Sequence, residues 1–300
     1  MTSSVRKYHP GEADIDATLV RALVDAQFPR WSGLPLRHVD AHGTSNVLFR
    51  LGEAYVVRLP RVSGAAPDLA TERRWLPFLA ARLPVAVPEC VAEGRPGHGF
   101  PYPWAVHRWL PGAIPVVGEL ERPGALAEDL AGFVTALRGI DTRGAPAAYR
   151  GRDPLAARDG DTRAVLSRLA GVLDAGAARA VWDAAVRTPR GPLPDVWLHA
   201  DLEPGNLLVD AGRLSAVIDF ACMGTGDPAV DLLAAWYVLD APARKVFRAA
   251  AAPDADTWAR GRGWALTVAA HELAYYQESN PFMARTAART IDAVLAESGD

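Results

Sequence analysis

The sequence predicts an α+β chain in two lobes: a small antiparallel β-sheet with one main helix, then a larger and mostly helical half. Three observations carry this expectation. Short alternating apolar runs, broken by turn residues, crowd the stretch from Leu36 to Leu110. After Pro111-Gly112 the apolar residues change period and recur at helical spacing in one segment after another. A single island of strands, from Val196 to Ile218, interrupts the second half, and acidic and amide side chains gather there.

The elements follow in order. Residues 1–11 read as a loose arm. Ile15, Leu19, Ala22, Leu23 and Ala26 then share a helical face, capped by Asp14 or Asp16. Residues 36–59 read as three strands with turns at His42-Gly43-Thr44-Ser45-Asn46 and Gly52-Glu53-Ala54. The main helix of this lobe is expected over 68–83, with Leu69, Leu76, Leu79 and Leu83 inward. Two more strands fall at 88–93 and 102–110. A boundary belongs here, giving domains 1–110 and 111–300 with a hinge at 106–112. The second lobe reads as helices over 123–140, 161–174, 177–186, 228–239, 241–252 and 254–279; Asn280-Pro281 ends the last of these, and 286–296 closes the chain. Loops are expected at 144–153 and 224–228.

Composition bounds the function. Half of the 300 residues are hydrophobic, and the net charge of −3 gives no basic footprint for nucleic acid. The two cysteines, Cys90 and Cys222, have no metal-ligand spacing and read as reduced structural thiols. No run of 18 apolar residues suggests a membrane span, and the N-terminus has no signal-peptide pattern. The expectation is a cytoplasmic protein, monomer or weak dimer, with no nucleic-acid or membrane partner. Lysine occurs only at Lys7 and Lys245, so nearly all of the 32 basic residues are arginine.

The island has its own logic. Val196-Trp197-Leu198 delivers His199 and Asp201 into a tight loop, which Pro204-Gly205 turns. Asn206 opens a short strand, Asp210-Ala211-Gly212 makes a hairpin turn, and the return strand ends at Asp219. Asp201, Asn206 and Asp219 thereby converge. Mg²⁺ prefers a few hard oxygen ligands together with phosphate oxygens. A neighbouring carboxylate orients an attacking hydroxyl and takes its proton. The set suits phosphoryl transfer; the plainer alternative is a hairpin with ordinary turn acids.

His199-Ala200-Asp201-Leu202-Glu203-Pro204-Gly205-Asn206 also fits the kinase catalytic-loop pattern His-x-Asp-x-x-x-x-Asn. Asp219-Phe220-Ala221 stands where a kinase carries Asp-Phe-Gly, and Gly226-Asp227-Pro228-Ala229-Val230-Asp231 follows. These motifs resemble the aminoglycoside phosphotransferase family, the small-molecule branch of the protein-kinase-like fold. The resemblance implies ATP or GTP as donor with Mg²⁺, and a small-molecule acceptor. It implies that Asp201 takes the acceptor proton, that Asn206 and Asp219 hold the metal, and that His199 and Asp231 brace the loop.

In the first lobe the resemblance places Arg58 where a nucleotide-binding lysine is expected. Neither lysine can replace it by sequence order, so Arg58 is read as a working substitute paired with Glu72; a solvated strand arginine is the alternative. Gly43, Thr44, Ser45 and Asn46 form the turn that covers the triphosphate, although it is poor in glycine. His107 and Trp109 lie in the hinge expected to meet the adenine edge. The acceptor contacts are expected on the C-terminal helices: Trp236, His271, Glu272, Tyr275 and Glu278, with His271, Tyr275 and Glu278 on one face. Protein kinases often carry a lysine two residues after the catalytic aspartate, and here that position is Glu203. An aminoglycoside is the acceptor the resemblance points to. A macrolide, a small metabolite such as choline, homoserine or a sugar, or a nucleotide-binding protein without catalysis are the alternatives.

Overall fold

Alternation in the first hundred residues resolves into a five-stranded antiparallel sheet in the computed structural model, which describes residues 5–40, 43–63 and 66–297. The strands are β1 (Leu36–Val39), β2 (Asn46–Leu51), β3 (Tyr55–Pro60), β4 (Cys90–Gly94) and β5 (Trp104–Arg108), in the order β1-β2-β3-β5-β4. Side chains on a strand point alternately to either face. Val47, Phe49, Leu51, Val57, Leu59, Trp104 and Val106 form one buried face, packed with Val20, Leu23 and Val24 of helix α1 (Ala17–Gln27). Burying each such side chain contributes about 1.5–3 kcal/mol. Asp16 caps α1 by accepting from the Leu19 amide at 2.8 Å. The same alternation turns Arg58 and His107 to the opposite face, where Glu72 of α2 (Ala66–Ala80) meets Arg58.

The segment before α1 is not the loose arm expected, at least from residue 5 on. The buried Glu12 carboxylate accepts from the Tyr8 and His9 amides and from Arg61 Nη1 at 2.8 Å. Arg61 Nη1 also donates to the Arg6 carbonyl, and the Ala13 amide donates to Arg61 O. Lone charges are costly to bury, and this pair is satisfied from both sides. Sequence spacing gives no sign of it, because the partners lie 49 positions apart. His42 of the expected turn lies outside the described residues.

The chain divides into two compact units, Met1–Ala81 with Ala86–Pro111, and Arg82–Val85 with Gly112–Asp300. The second holds α3 (Pro123–Arg138), α4 (Asp159–Arg168), α5 (Ala175–Arg187), α6 (Ala234–Tyr237), α7 (Ala241–Ala251), α8 (Ala255–Tyr276) and α9 (Pro281–Ala296). Asp174, Asp240, Asp254 and Asn280 each cap the helix that follows through the side-chain oxygen. Asn280-Pro281, expected as the end of the preceding element, therefore also opens α9. The segment expected as one helix over 228–239 is a 3₁₀ turn, Val230–Leu233, followed by the four-residue α6.

Four short strands complete this unit: β6 (Val196–Leu198), β7 (Leu207–Asp210), β8 (Arg213–Val217) and β9 (Gly224–Gly226). β7 and β8 form the expected hairpin. β9 was expected as a loop, since Gly-Thr-Gly carries no strand signature. It pairs with β6, Val196 opposite Gly226 and Leu198 opposite Gly224. A Cβ on Gly226 would lie 2.7 Å from the Gly151 carbonyl oxygen, so only glycine permits the approach. Among the described residues no helix is long and apolar enough to cross a membrane.

Candidate active site

The loop after β6 is held from beneath by Asp231. Its carboxylate accepts from the His199 amide at 2.9 Å and the Ala200 amide at 2.7 Å, in a fully buried position. Ala200 sits at φ 65°, a left-handed conformation that a residue with a Cβ adopts only when its surroundings impose it. The two bonds to Asp231 supply that constraint. Burial pushes the Asp231 carboxyl above its ordinary value, while His199, the two amides and Arg138 pull it back. Arg138 donates to the Pro228 carbonyl at 2.5 Å. Beside it Asp227 forms a buried two-armed pair with Arg260 of α8, at 2.9 and 3.1 Å. Asp231→Ala is expected to leave two buried amides without acceptors, at about 1–3 kcal/mol each. Urea denaturation is the check: a loss below about 1 kcal/mol removes Asp231 as the brace.

His199 ties the two arms of the island together. Its Nε2 donates to the Ile218 carbonyl at 3.0 Å, which fixes the tautomer, and its ring meets Phe220 edge-on at 4.6 Å. Its Nδ1 is buried and has no hydrogen-bond partner among the described residues, so the ring is not placed to relay a proton. The Ile218 amide donates to the Asn206 carbonyl at 2.9 Å, which brings Asp219, the next residue, alongside Asn206. Asp219 also lies in the left-handed region, at φ 59°. Asn206 spends its amide nitrogen on Asp201, donating to the backbone O at 2.8 Å and to Oδ2 at 3.0 Å. The Asn206 side-chain oxygen thus remains as the hard donor beside Asp219.

Mg²⁺ is commonly held by one or two carboxylates with phosphate oxygens and water, not by an all-protein cage. Among the described residues no cluster of three or more His, Cys, Asp or Glu could hold a metal ion. One amide oxygen and one carboxylate on a hairpin mouth fit a cation that brings its remaining oxygens with the nucleotide.

The other Asp201 oxygen faces Arg150. Arg150 Nη1 donates to Asp201 Oδ1 and, at 2.7 Å, to the Ala200 carbonyl. Nothing in the sequence marked this residue: it lies in the expected loop, 51 positions upstream. Glu203 and Glu272 complete an acidic wall. Burial, reinforced by Glu272 and Asp201, raises Glu203 well above the usual carboxylate range. Burial pushes Glu272 up to about 7, against the Tyr237 hydroxyl and Arg150, which lower it. Tyr237 donates to Glu272 Oε2 at 2.7 Å.

The other expected acceptor residues part company here. Trp236 is fully buried, packs on Trp258 at 4.6 Å and donates its indole N–H to Glu297 at 2.6 Å, so it is core. Its neighbour Tyr237 reaches Glu272 instead. His271 binds the Thr267 carbonyl of its own helix at 2.8 Å. Tyr275 is 54% exposed. Glu278 lies beyond the end of α8 and does not share a helical face with His271 and Tyr275.

In the first unit Arg58 is buried, not a solvated strand residue. Its Nη1 donates to both Glu72 oxygens, at 2.8 and 2.6 Å, with side-chain exposures of 8% and 2%. Asn46 opens β2 and is not a turn residue. In the amide orientation that satisfies both groups, its oxygen accepts from Arg58 Nη2 and Nε at 3.0 Å each. Gly43, Thr44 and Ser45 precede it, and the Thr44 carbonyl meets His9 Nε2 at 3.1 Å. Of the expected hinge residues, His107 lies within β5 and Trp109 is the first residue beyond it. His107 is paired within the sheet to Val56 and Cys90, and the Trp109 amide donates to Ala54 O at 2.9 Å. Burial, and then the Arg58 charge, lowers the His107 imidazole to about 3, so it is neutral. The Trp109 ring lies 3.9 Å from the Arg50 guanidinium carbon.

Residues 38–264 match the model of the phosphotransferase enzyme family, APH. The chain belongs to that family. No curated protein matches it in sequence. Solved structures share the fold. The GDP and kanamycin complex of APH(2")-IIia superposes with a TM-score of 0.72 at 17% identity, over 92% of this chain and 96% of that one. ADP-bound aminoglycoside phosphotransferase APH(2")-Ib gives 0.63 at 16%, over 93% and 98%. The apo macrolide 2'-phosphotransferase of Brachybacterium faecium gives 0.60 at 24%, again over 93% and 98%. The α+β architecture is thus that of the kinase-like phosphotransferases. The phosphotransferase match takes in Arg58, Glu72, Asp201, Asn206, Asp219 and Asp231 and stops short of Glu272.

Proposed function

We propose that the protein transfers the terminal phosphoryl group of a nucleoside triphosphate, ATP or GTP, to a hydroxyl of an amine-bearing small molecule of the aminoglycoside type. The observation that carries this is the bond from Asn206 to the Asp201 carboxylate at the β7–β8 hairpin mouth, with the Ile218 amide on the Asn206 carbonyl placing Asp219 next to it in the chain. Asp201 orients the acceptor hydroxyl and accepts its proton. Asn206 and Asp219 hold Mg²⁺, which supplies charge neutralisation at the phosphates. Arg58, anchored by Glu72, grips phosphate oxygens of the donor. Asp231 and His199 keep the Asp201 loop in register.

Glu272 favours a cationic acceptor. Glu272 faces Tyr237, Glu203, Asp201 and Arg150. Below pH about 7 it is protonated; raising the pH through that value ionises it. Affinity for an aminoglycoside is therefore expected to rise across this window, whereas an uncharged acceptor gains nothing. The exposed aromatics Tyr149 and Tyr275 favour a second reading, a larger and less charged acceptor such as a macrolide. Phosphoryl transfer from Mg·ATP and Mg·GTP to an aminoglycoside, macrolide and amino-alcohol panel, with KM followed from pH 6 to 8, decides between them. Nucleotide binding with no transfer to any acceptor would leave a binding protein of this fold. A falling aminoglycoside affinity with rising pH would remove the cation reading.

A further inference from the structure

Arg150 has donors to spare. Nη1 is used by Asp201 Oδ1 and the Ala200 carbonyl, while Nε and Nη2 make no hydrogen bond among the described residues and are not closed off from solvent. The side chain is 15% exposed. Its backbone is fixed. Ala148 donates to Thr225 O at 3.0 Å and Tyr149 to Cys222 O at 3.1 Å. Thr225 donates to Pro146 O at 2.8 Å and Asp227 to Gly151 O at 2.9 Å. Gly151 sits at φ 85°, and a Cβ there would meet Val230 Cγ2 at 2.5 Å. The loop over 146–151 is thus laced to the chain that follows Asp219. Around Arg150 stand Asp201, Glu203 and Glu272, and the Asp201 loop brings an acid, Glu203, and no cation of its own.

Phosphoryl transfer needs a cation at this point. The acceptor oxygen forms a bond to the terminal phosphorus. The bond from that phosphorus to the bridging oxygen breaks, and its electron pair leaves on the nucleoside diphosphate. The hydroxyl proton passes to Asp201. Negative charge spreads over the three equatorial oxygens of the group in flight, and a guanidinium fork matches two of them.

We propose that Arg150 is a catalytic residue: Nη1 fixes the Asp201 carboxylate while Nε and Nη2 bind the oxygens of the transferring phosphoryl group. A loop remote in sequence thereby supplies the cation that position 203 lacks. The inference rests on the phosphotransfer reading and deepens it.

Calorimetric titration of the full chain with Mg·ADP, and with Mg·ADP plus tetrafluoroaluminate as a mimic of the flying phosphoryl group, tests it. Arg150→Ala is expected to bind Mg·ADP within about threefold of the parent. It should lose about 10²–10³-fold in tetrafluoroaluminate affinity and in kcat. Added guanidinium ion should restore part of the turnover, which a merely structural loss would not permit. Arg150→Lys keeps the charge without the fork and should fall between the two; it carries the test if the alanine variant does not fold. Parent-like tightening by tetrafluoroaluminate in both variants overturns the role of Arg150 and leaves phosphotransfer standing. Failure of the parent chain to bind Mg·ADP overturns the phosphotransfer reading, and this inference with it.

Discussion

Asp201→Asn is expected to lower kcat by about two to four orders of magnitude while nucleotide affinity stays nearly unchanged. The asparagine keeps the size of the side chain. Its carbonyl oxygen can still accept from Arg150, as Oδ1 does now, and the Asn206 amide keeps its bond to the backbone oxygen of residue 201, so only the bond at Oδ2 is lost from the loop. What it lacks is a second acceptor oxygen able to take a proton. In the native chain that second oxygen already accepts from Asn206 at 3.0 Å, which aims the carboxylate instead of leaving it to rotate. Thermal unfolding and Mg·ADP titration of the same variant separate chemistry from folding. Turnover within about threefold of the parent, with binding and stability intact, would show that Asp201 is not the group that handles the acceptor proton.

The second large effect belongs to the first unit. Glu72→Ala is expected to cost about 3–5 kcal/mol, because it removes the carboxylate that accepts from the buried Arg58 guanidinium at 2.8 and 2.6 Å. The paired replacement Arg58→Met with Glu72→Leu removes both charges and should recover most of the loss, since apolar groups of similar volume often equal or exceed a buried ion pair. Nucleotide binding should not recover with it. Denaturation and Mg·ATP titration of the single and double variants give the two numbers. If the double variant binds nucleotide as the parent does, Arg58 is a structural residue only.

Arg58 also shows how far a motif reading reaches. A basic residue at that strand position and an acid on the next helix could be matched by order along the chain, and the two do meet at 2.6 Å. The turn before it departs from the expectation. Asn46 looked like a turn residue because asparagine favours turns, yet it begins β2 and spends its side chain on Arg58. Trp236 is equally ambiguous from sequence. Adjacent residues on a short helix point to different sides, and the pattern of one chain does not say which side is core. Packing against Trp258 and Glu297 claimed Trp236, and Tyr237 fell to the acid wall.

The sequence by itself determined the strand lobe, the helical remainder and the hairpin that carries Asp201, Asn206 and Asp219. Those features are written in contiguous residues, and period and turn chemistry act over a few positions. Tertiary structure alone decided which distant groups share the site. Arg150 reaches Asp201 across 51 positions, and Glu272 reaches Tyr237 across 35. Only the lacing of one loop onto β9, and the seating of α8 beside α6, brings those charges together. Electrostatic interaction depends on distance in space, and no local pattern records it.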